Sequence, residues 1–239
     1  MPGLGTIINC AGVLLGGILG LFFGKFLKDK VREMLITASG IAVLFIGMPG
    51  AIKEMLVISD GKVTTQGTMM MIVSIVVGGG IGEIIDLDKK FEQFGEFLKQ
   101  KTGSKNDNLF VQGFVNTSLT ISIGAMAIIG PFQDVLEGNI DTLVAKTILD
   151  TIMVFSMTSA MGKGCIFSII PVAVIQGGFS LFAKLLEPIM TDAALSNINM
   201  VGSVLIFCIG LNLLRDKKIK VANLLPGLII AVIWALLAK

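Results

Sequence analysis

NTSLTISIGAMAIIGPFQD (116–134) is apolar enough to sit in a bilayer, yet it carries Asn116, Thr117, Ser118, Thr120 and Ser122 close together and then a Gly130-Pro131 break. Lipid offers such hydrogen-bonding groups no partner. Asn116 and Thr120 lie one helical turn apart, with Gln112 a turn before, whereas Ser118 and Ser122 fall on a different face. Polar groups on both faces mark a helix surrounded by protein or water. The stretch reads as a central membrane span that lines something.

The rest of the chain suits the same setting. Of its 239 residues, 54% are hydrophobic and 15% charged, with a mean hydropathy of +0.87; soluble domains carry about a quarter charged residues. The apolar residues gather into blocks of roughly 20, the length that crosses a bilayer as a helix, and no short alternating segments of a β-barrel occur. The fold class is therefore all-α, a polytopic integral membrane helix bundle forming one domain over 1–239. Eight spans are read, at about 4–26, 34–56, 68–87, 109–133, 140–161, 164–186, 198–214 and 220–238. Seven result if the fifth and sixth are continuous, but Gly162-Lys163-Gly164 argues for a break between them. The first block follows Met1-Pro2 directly without a basic start, so it reads as a span and not as a cleaved signal.

Basic residues orient the bundle. Lys25, Lys28, Lys30, Arg32, Lys89, Lys90, Lys99, Lys101, Lys105, Lys163, Arg215, Lys217, Lys218 and Lys220 fall after the odd-numbered spans. Only Lys53, Lys62, Lys146, Lys184 and Lys239 fall on the other side. The positive-inside rule then places both termini outside the cytoplasm. Residues 88–101, DKKFEQFGEFLKQK, gather Phe91, Phe94, Phe97 and Leu98 on one helical face. They read as an amphipathic helix on the cytoplasmic surface, or as a loop helix packed on the bundle.

Gly12, Gly16, Gly20 and Gly24 form a ridge without side chains along the first span, where a neighbouring backbone can approach. It serves packing within the chain, or a sliding or homodimer interface. GGGIGEII (78–85) echoes GGILGLFF (16–23), aligning Gly78 and Gly82 with Gly16 and Gly20, and QGGF (176–179) echoes both. The pattern suggests related hairpins in spans one–two, three–four and six–seven, the last inverted, as in many secondary transporters. Pro49, Pro131, Pro171 and Pro226 fall in spans two, four, six and eight and are expected to bend them.

Several chemistries are excluded or disfavoured. There is no histidine, hence no imidazole metal site or histidine relay, and Cys10, Cys165 and Cys208 stand singly in apolar runs as buried thiols. No HExxH or GxSxG occurs, and the glycines of 78–82 end inside a span instead of opening a phosphate-binding helix. The chain reads as a non-enzyme with no catalytic residue, metal, cofactor or nucleic-acid partner. Intramembrane polar groups are the remaining signal, because a charge in hydrocarbon costs about 2.5–3.5 kcal/mol on insertion scales. Asp150 lies near the middle of span five, with Thr147, Thr151 and Thr158 about it, and Gln176 near the middle of span six. Glu83 and Asp86 lie at the cytoplasmic end of span three. Lys146 and Asp150 are also spaced to pair on one helix face.

GAMAIIGPFQDVLEGN (124–139), KTILDTIMVFS (146–156), VIQGG (174–178) and IGLNLLRDKKIKVANLLPG (209–227) together resemble an uncharacterised bacterial membrane-protein family, the domain of unknown function numbered 554, with YqgA-like members. The resemblance covers nearly the whole chain and implies a multi-span inner-membrane protein, sometimes labelled a transporter. It brings no substrate and no catalytic residue. Members often read GSIQD where this chain has Gly130-Pro131-Phe132-Gln133-Asp134, so a mechanism should not rest on Pro131 alone. The functional expectation is a secondary transporter of a small polar or charged solute. Asp150 would be its proton or cation site, and Asn116, Thr120, Ser122, Thr151, Gln176 and Glu83 would complete the substrate and ion contacts. A channel or oligomeric pore, or a structural membrane protein, is the alternative.

Overall fold

The computed structural model describes residues 1–59, 61–124, 126–215 and 219–237. Lys217, Lys218 and Lys239, counted above for orientation, lie outside the described residues. The bundle is all-α, apart from one hairpin that the apolar blocks do not predict: β1 (Leu56–Ser59) pairs antiparallel with β2 (Lys62–Thr65), Leu56 opposite Thr65.

Three long helices open the chain: α1 (Leu4–Gly24), α2 (Asp29–Met55) and, after the hairpin, α3 (Thr68–Ile85). α4 (Leu87–Lys101) is the expected amphipathic helix, and it packs Leu98 and Phe91 against Phe110 and Phe114 of the next segment. α5 (Phe110–Ser122) and α6 (Met126–Phe132), which runs on through a π-helical turn (Gln133–Glu137), form one bent element. α7 (Asp141–Met161), a 3-10 turn (Lys163–Ser168) and α8 (Ile169–Leu181) follow. A single-turn α9 (Ala183–Leu186), α10 (Asp192–Leu214), a second 3-10 turn (Val221–Leu224) and α11 (Pro226–Leu237) complete the fold.

Six helical segments are long and apolar enough to cross a membrane, and the α5–α6 pair makes a seventh. The expected eighth span is a shorter apolar segment, Val221–Leu237, whose helix begins only at Pro226. α1 starts, and α11 ends, at one face of the bundle, called here the terminal face. α4 and the Lys/Arg-rich connections mark the opposite, basic face.

The glycine ridge of α1 lies against α7. A methyl group at Gly12 would sit 2.6 Å from Thr151 Oγ1, at Gly20 2.7 Å from Phe155 O, and at Gly24 2.9 Å from Ser159 O, while Gly16 abuts the carbonyl of Thr151. Side chains there would separate the backbones, and in lipid that close contact is what holds helices together. The ridge is thus covered within the chain. The second ridge serves α11 instead: Gly78 faces Gly227, and Gly82 faces the backbone of Asn223. The core centres on α10, whose Val201, Leu205 and Ile209 are fully buried among residues of α2, α3, α5 and α7.

Pro226 is the first residue of α11, a position that accommodates proline without a bend, and Pro171 is the third residue of α8, just after the 3-10 turn Lys163–Ser168. Pro49 and Pro131 do lie inside helices, with the π-helical turn following two residues after Pro131.

Candidate functional site

The span that begins at Asn116 is interrupted, but not where Gly130-Pro131 suggests. α5 stops at Ser122, Ile123 is extended, and Gly124 takes φ 123°, a backbone that side-chain-bearing residues rarely adopt. The two halves meet at 55°. A helix that ends inside the bundle leaves its last carbonyls without intrahelical donors. One of them, Ile121 O, accepts a 2.7 Å hydrogen bond from Lys146 Nζ of α7.

Lys146 also pairs with Asp150 one turn on, at 3.0 Å to Oδ1 and 2.9 Å to Oδ2. Asn9 of α1 donates from Nδ2 to Asp150 Oδ2 at 3.0 Å. Lys146 and Asp150 are 6% and 5% exposed and Asn9 is fully buried, so this is an ion pair inside the bundle and not at its interface. Each ion is compensated, which is the condition for a charge to persist there. Asn9 was missed in the sequence, where a lone asparagine nine residues into an apolar block gave no spacing signal.

Gln176 joins the same layer by register. Val13 of α1, Val154 of α7 and Val172 of α8 pack in one apolar cluster with Ile121. One turn from each of the three valines, toward the terminal face, stand Asn9, Asp150 and Gln176. A further turn on, Thr6 Oγ1 and Ser180 Oγ lie 3.4 Å apart. The antiparallel register of α1 and α8 therefore places Gln176 opposite Asn9. Gln176 is fully buried, and neither its Oε1 nor its Nε2 has a partner among the described residues.

The other expected site residues divide. Thr120 donates to Asn116 O at 2.7 Å, the back-bond common for threonine in helices. Asn116 Nδ2 and Ser122 Oγ are buried without partners among the described residues. Thr151 donates to Thr147 O and packs on Gly12 and Gly16, so it belongs to the α1–α7 contact. Glu83 lies at the basic face, held by Lys220 Nζ at 2.5 Å and Asn223 Nδ2 at 2.6 Å. The Glu83 carboxylate beside Lys220 raises that lysine's pKa and keeps its ammonium charged.

Two cavities with charged lining residues flank α5, besides an apolar one of 270 Å³ at Ser122, Ile123 and Gly124. One of 370 Å³, in the terminal half, is lined by Lys146, Asp150, Thr120, Ile121, Asn199 and Ser203 among others. Asn199 and Ser196 of α10 both donate to Glu54 of α2, at 2.7 and 2.6 Å, beside it. The other, of 320 Å³, opens at the basic side on Asp88, Glu92, Gln112, Asn116 and Asn212. Burial pushes the carboxyls of Asp88 and Glu92 above their ordinary pKa values. Leu119 and Ile209 line the basic cavity, Ile206 the terminal one, and all three join the same buried cluster. About one turn of α5, from Asn116 to Thr120, separates the two spaces. Each falls within the size range of small-molecule sites.

Residues 4–236 match the profile of a family described as "Protein of unknown function (DUF554)". The chain is 32% identical over 226 residues to "Uncharacterized membrane protein YdfK" of Bacillus subtilis, covering 95% of this chain and 93% of that protein. It is 27% identical over 237 residues to "Uncharacterized protein YqgA" of Escherichia coli, covering 95% and 94%. No solved structure matches it. With a profile match across nearly its whole length and a relative this similar, the chain belongs to the family described as protein of unknown function DUF554, and it is a multi-span membrane protein.

Proposed function

We propose that the protein is a secondary transporter of a small polar or charged solute, embedded in a bacterial plasma membrane with both termini outside. The observation that carries this reading is the pair of cavities along the interrupted helix, each holding charged and amide side chains in a largely apolar wall, with Leu119, Ile206 and Ile209 between them. Alternating access needs two such spaces around one central element, and interrupted helices recur at the sites of secondary transporters because their freed backbone groups bind ions and substrate. Asn116 faces the basic cavity and Thr120 the terminal one, so solute handed across the barrier stays within reach of α5. Asp150 is the coupling carboxylate: it is buried, pairs with Lys146, and borders the terminal cavity. A permanently open channel is disfavoured, since the apolar barrier closes the path between the two spaces.

The test is uptake by proteoliposomes holding the purified protein. Small amino acids, carboxylates and amines are offered one class at a time, with and without an inward proton or sodium gradient. Saturable uptake by at least one class that rises with a gradient is expected. Gradient-independent, non-saturating flux would instead identify a pore, and no flux of any class would leave a structural role.

A further inference from the structure

The sharpest unassigned feature is what fills the space at the end of α5. An interrupted helix presents carbonyl oxygens carrying the negative end of its dipole. Beside a carboxylate, such oxygens form the type of site at which a small cation binds in transporters with broken helices. Here the oxygens are Ile121 O and both carboxylate oxygens of Asp150, and they converge on one atom, Lys146 Nζ, at 2.7, 3.0 and 2.9 Å. A further oxygen, Asn9 Oδ1, belongs to the amide that touches Asp150, is fully buried, and has no partner among the described residues. No other basic residue lines the cavity that reaches Lys146 and Asp150.

We infer that Lys146 is a tethered cation: its ammonium occupies the position a free sodium ion would take at the break, so the protein needs no sodium there, and deleting the ammonium turns the same oxygens into a sodium site. A compact ammonium and a sodium ion present a similar single charge to oxygen ligands. The lysine delivers its charge on a stem anchored one turn from Asp150, which removes the cost of capturing an ion from solution. The cavity beside it gives an ion a route to these oxygens once the stem is shortened. The inference deepens the transport reading above, in which it removes sodium from the Asp150 position. The occupancy itself does not depend on transport.

Melting temperature in detergent tests it. Wild type, Lys146→Ala and Lys146→Ala/Asp150→Asn are purified and heated in sodium chloride or N-methylglucamine chloride at equal ionic strength. Wild type should be indifferent to the exchange. Lys146→Ala should melt lower in N-methylglucamine and rise saturably with sodium by about 2–4 °C, the shift expected of a modest ligand linkage in a chain of this size. The double variant should lose that response. A saturable sodium response in wild type overturns the inference, because the position would then not be filled. So does a Lys146→Ala protein that is recovered and melts no better in sodium than in N-methylglucamine, including one that folds in neither. Failure of the uptake experiment with this sodium response intact would reject transport but not the tethered cation.

Discussion

Gly16 of α1 lies directly against the backbone carbonyl of Thr151 of α7, with no room for a side chain between them. α1 and α7 run parallel here, so the contact is repeated one turn on by Gly20 against Phe155 and Thr158. Gly16→Leu should therefore destabilise the protein by about 1–3 kcal/mol or more, the range for forcing extra volume into a packed core. Ala11→Leu, on the exposed face of the same helix, should be close to neutral. Thermal melts in detergent decide it, and equal stability of the two variants would contradict the close approach.

Asn223 ties the basic face together. Its Nδ2 donates to Glu83 of α3, and its Oδ1 accepts from the backbone of Asp88 at 2.7 Å. It is 2% exposed. Asn223→Ala should cost about 1–3 kcal/mol, because buried groups lose their partners. Lys220→Met removes an ion pair whose side chains are both more than half exposed, so solvent screening should keep its loss below that of Asn223→Ala. A larger loss for Lys220→Met than for Asn223→Ala would show that the charge, and not the amide, holds α3 to α4.

Asp88 should make stability depend on pH. Burial raises its pKa above the ordinary value, against weaker lowering by the Ala222 amide and Lys220. An acid whose folded pKa is raised binds more protons folded than unfolded, so its contribution is fully present below about pH 4 and is lost as pH rises through the folded value. Glu92 acts with the same sign. Asp88→Asn keeps an acceptor for the Ala222 amide while removing the titration. Melting curves from about pH 4 upward should then fall less steeply for the variant than for wild type. An unchanged slope would mean that Asp88 does not titrate there.

Much of this architecture is legible in the sequence, and the misses have physical causes. Apolar blocks locate the spans to within a few residues because the hydrophobic length constraint acts on each block alone. α10 instead begins six residues before the expected 198. Its opening residues are interrupted by Asp192, Ser196 and Asn197, and the signal for its start is Thr191, whose side chain accepts from Ala194 N at 3.2 Å as an N-cap. The hairpin's sequence signal is the Asp60-Gly61 pair, a turn dipeptide, but Leu56-Val57-Ile58 before it is a continuous apolar run that reads as the end of a span. The position of the helix break was not legible. Pro131 is tolerated within α6, and the interruption falls at Ile123–Gly124, where only tertiary contacts such as Lys146 to Ile121 satisfy the freed carbonyl. The Lys146–Asp150 pairing follows from its spacing, but the third member, Asn9, lies 141 residues away in the chain.

Orientation is accessible to chemistry. Lys62 in the hairpin and Lys101 at the end of α4 are both exposed and lie at opposite faces. With the native cysteines replaced, Lys62→Cys should react with a membrane-impermeant maleimide in intact cells, and Lys101→Cys only after permeabilisation. The reverse pattern would invert the topology, and reaction of both in intact cells would remove it.

The buried pair separates stability from transport. From the sequence, Asp150→Asn is expected to fold normally, since it keeps shape and hydrogen bonding. The geometry changes that expectation: the substitution leaves the Lys146 ammonium 6% exposed with no counter-charge, and breaking such a pair costs about 3–5 kcal/mol. Lys146→Met should cost a similar amount by stranding Asp150 and freeing Ile121 O. The double variant, with neither charge, should be more stable than either single, so the coupling energy between the sites should exceed the cost of one single change, about 3–5 kcal/mol. Flux should behave differently. If Asp150 carries the coupling proton or responds to substrate, gradient-driven uptake should be absent from both single variants and from the double. A purely structural pair predicts that uptake returns together with stability in the double variant. Melting temperature and uptake measured on the same three proteins therefore distinguish the two roles, and full uptake by the double variant would remove Asp150 from the mechanism.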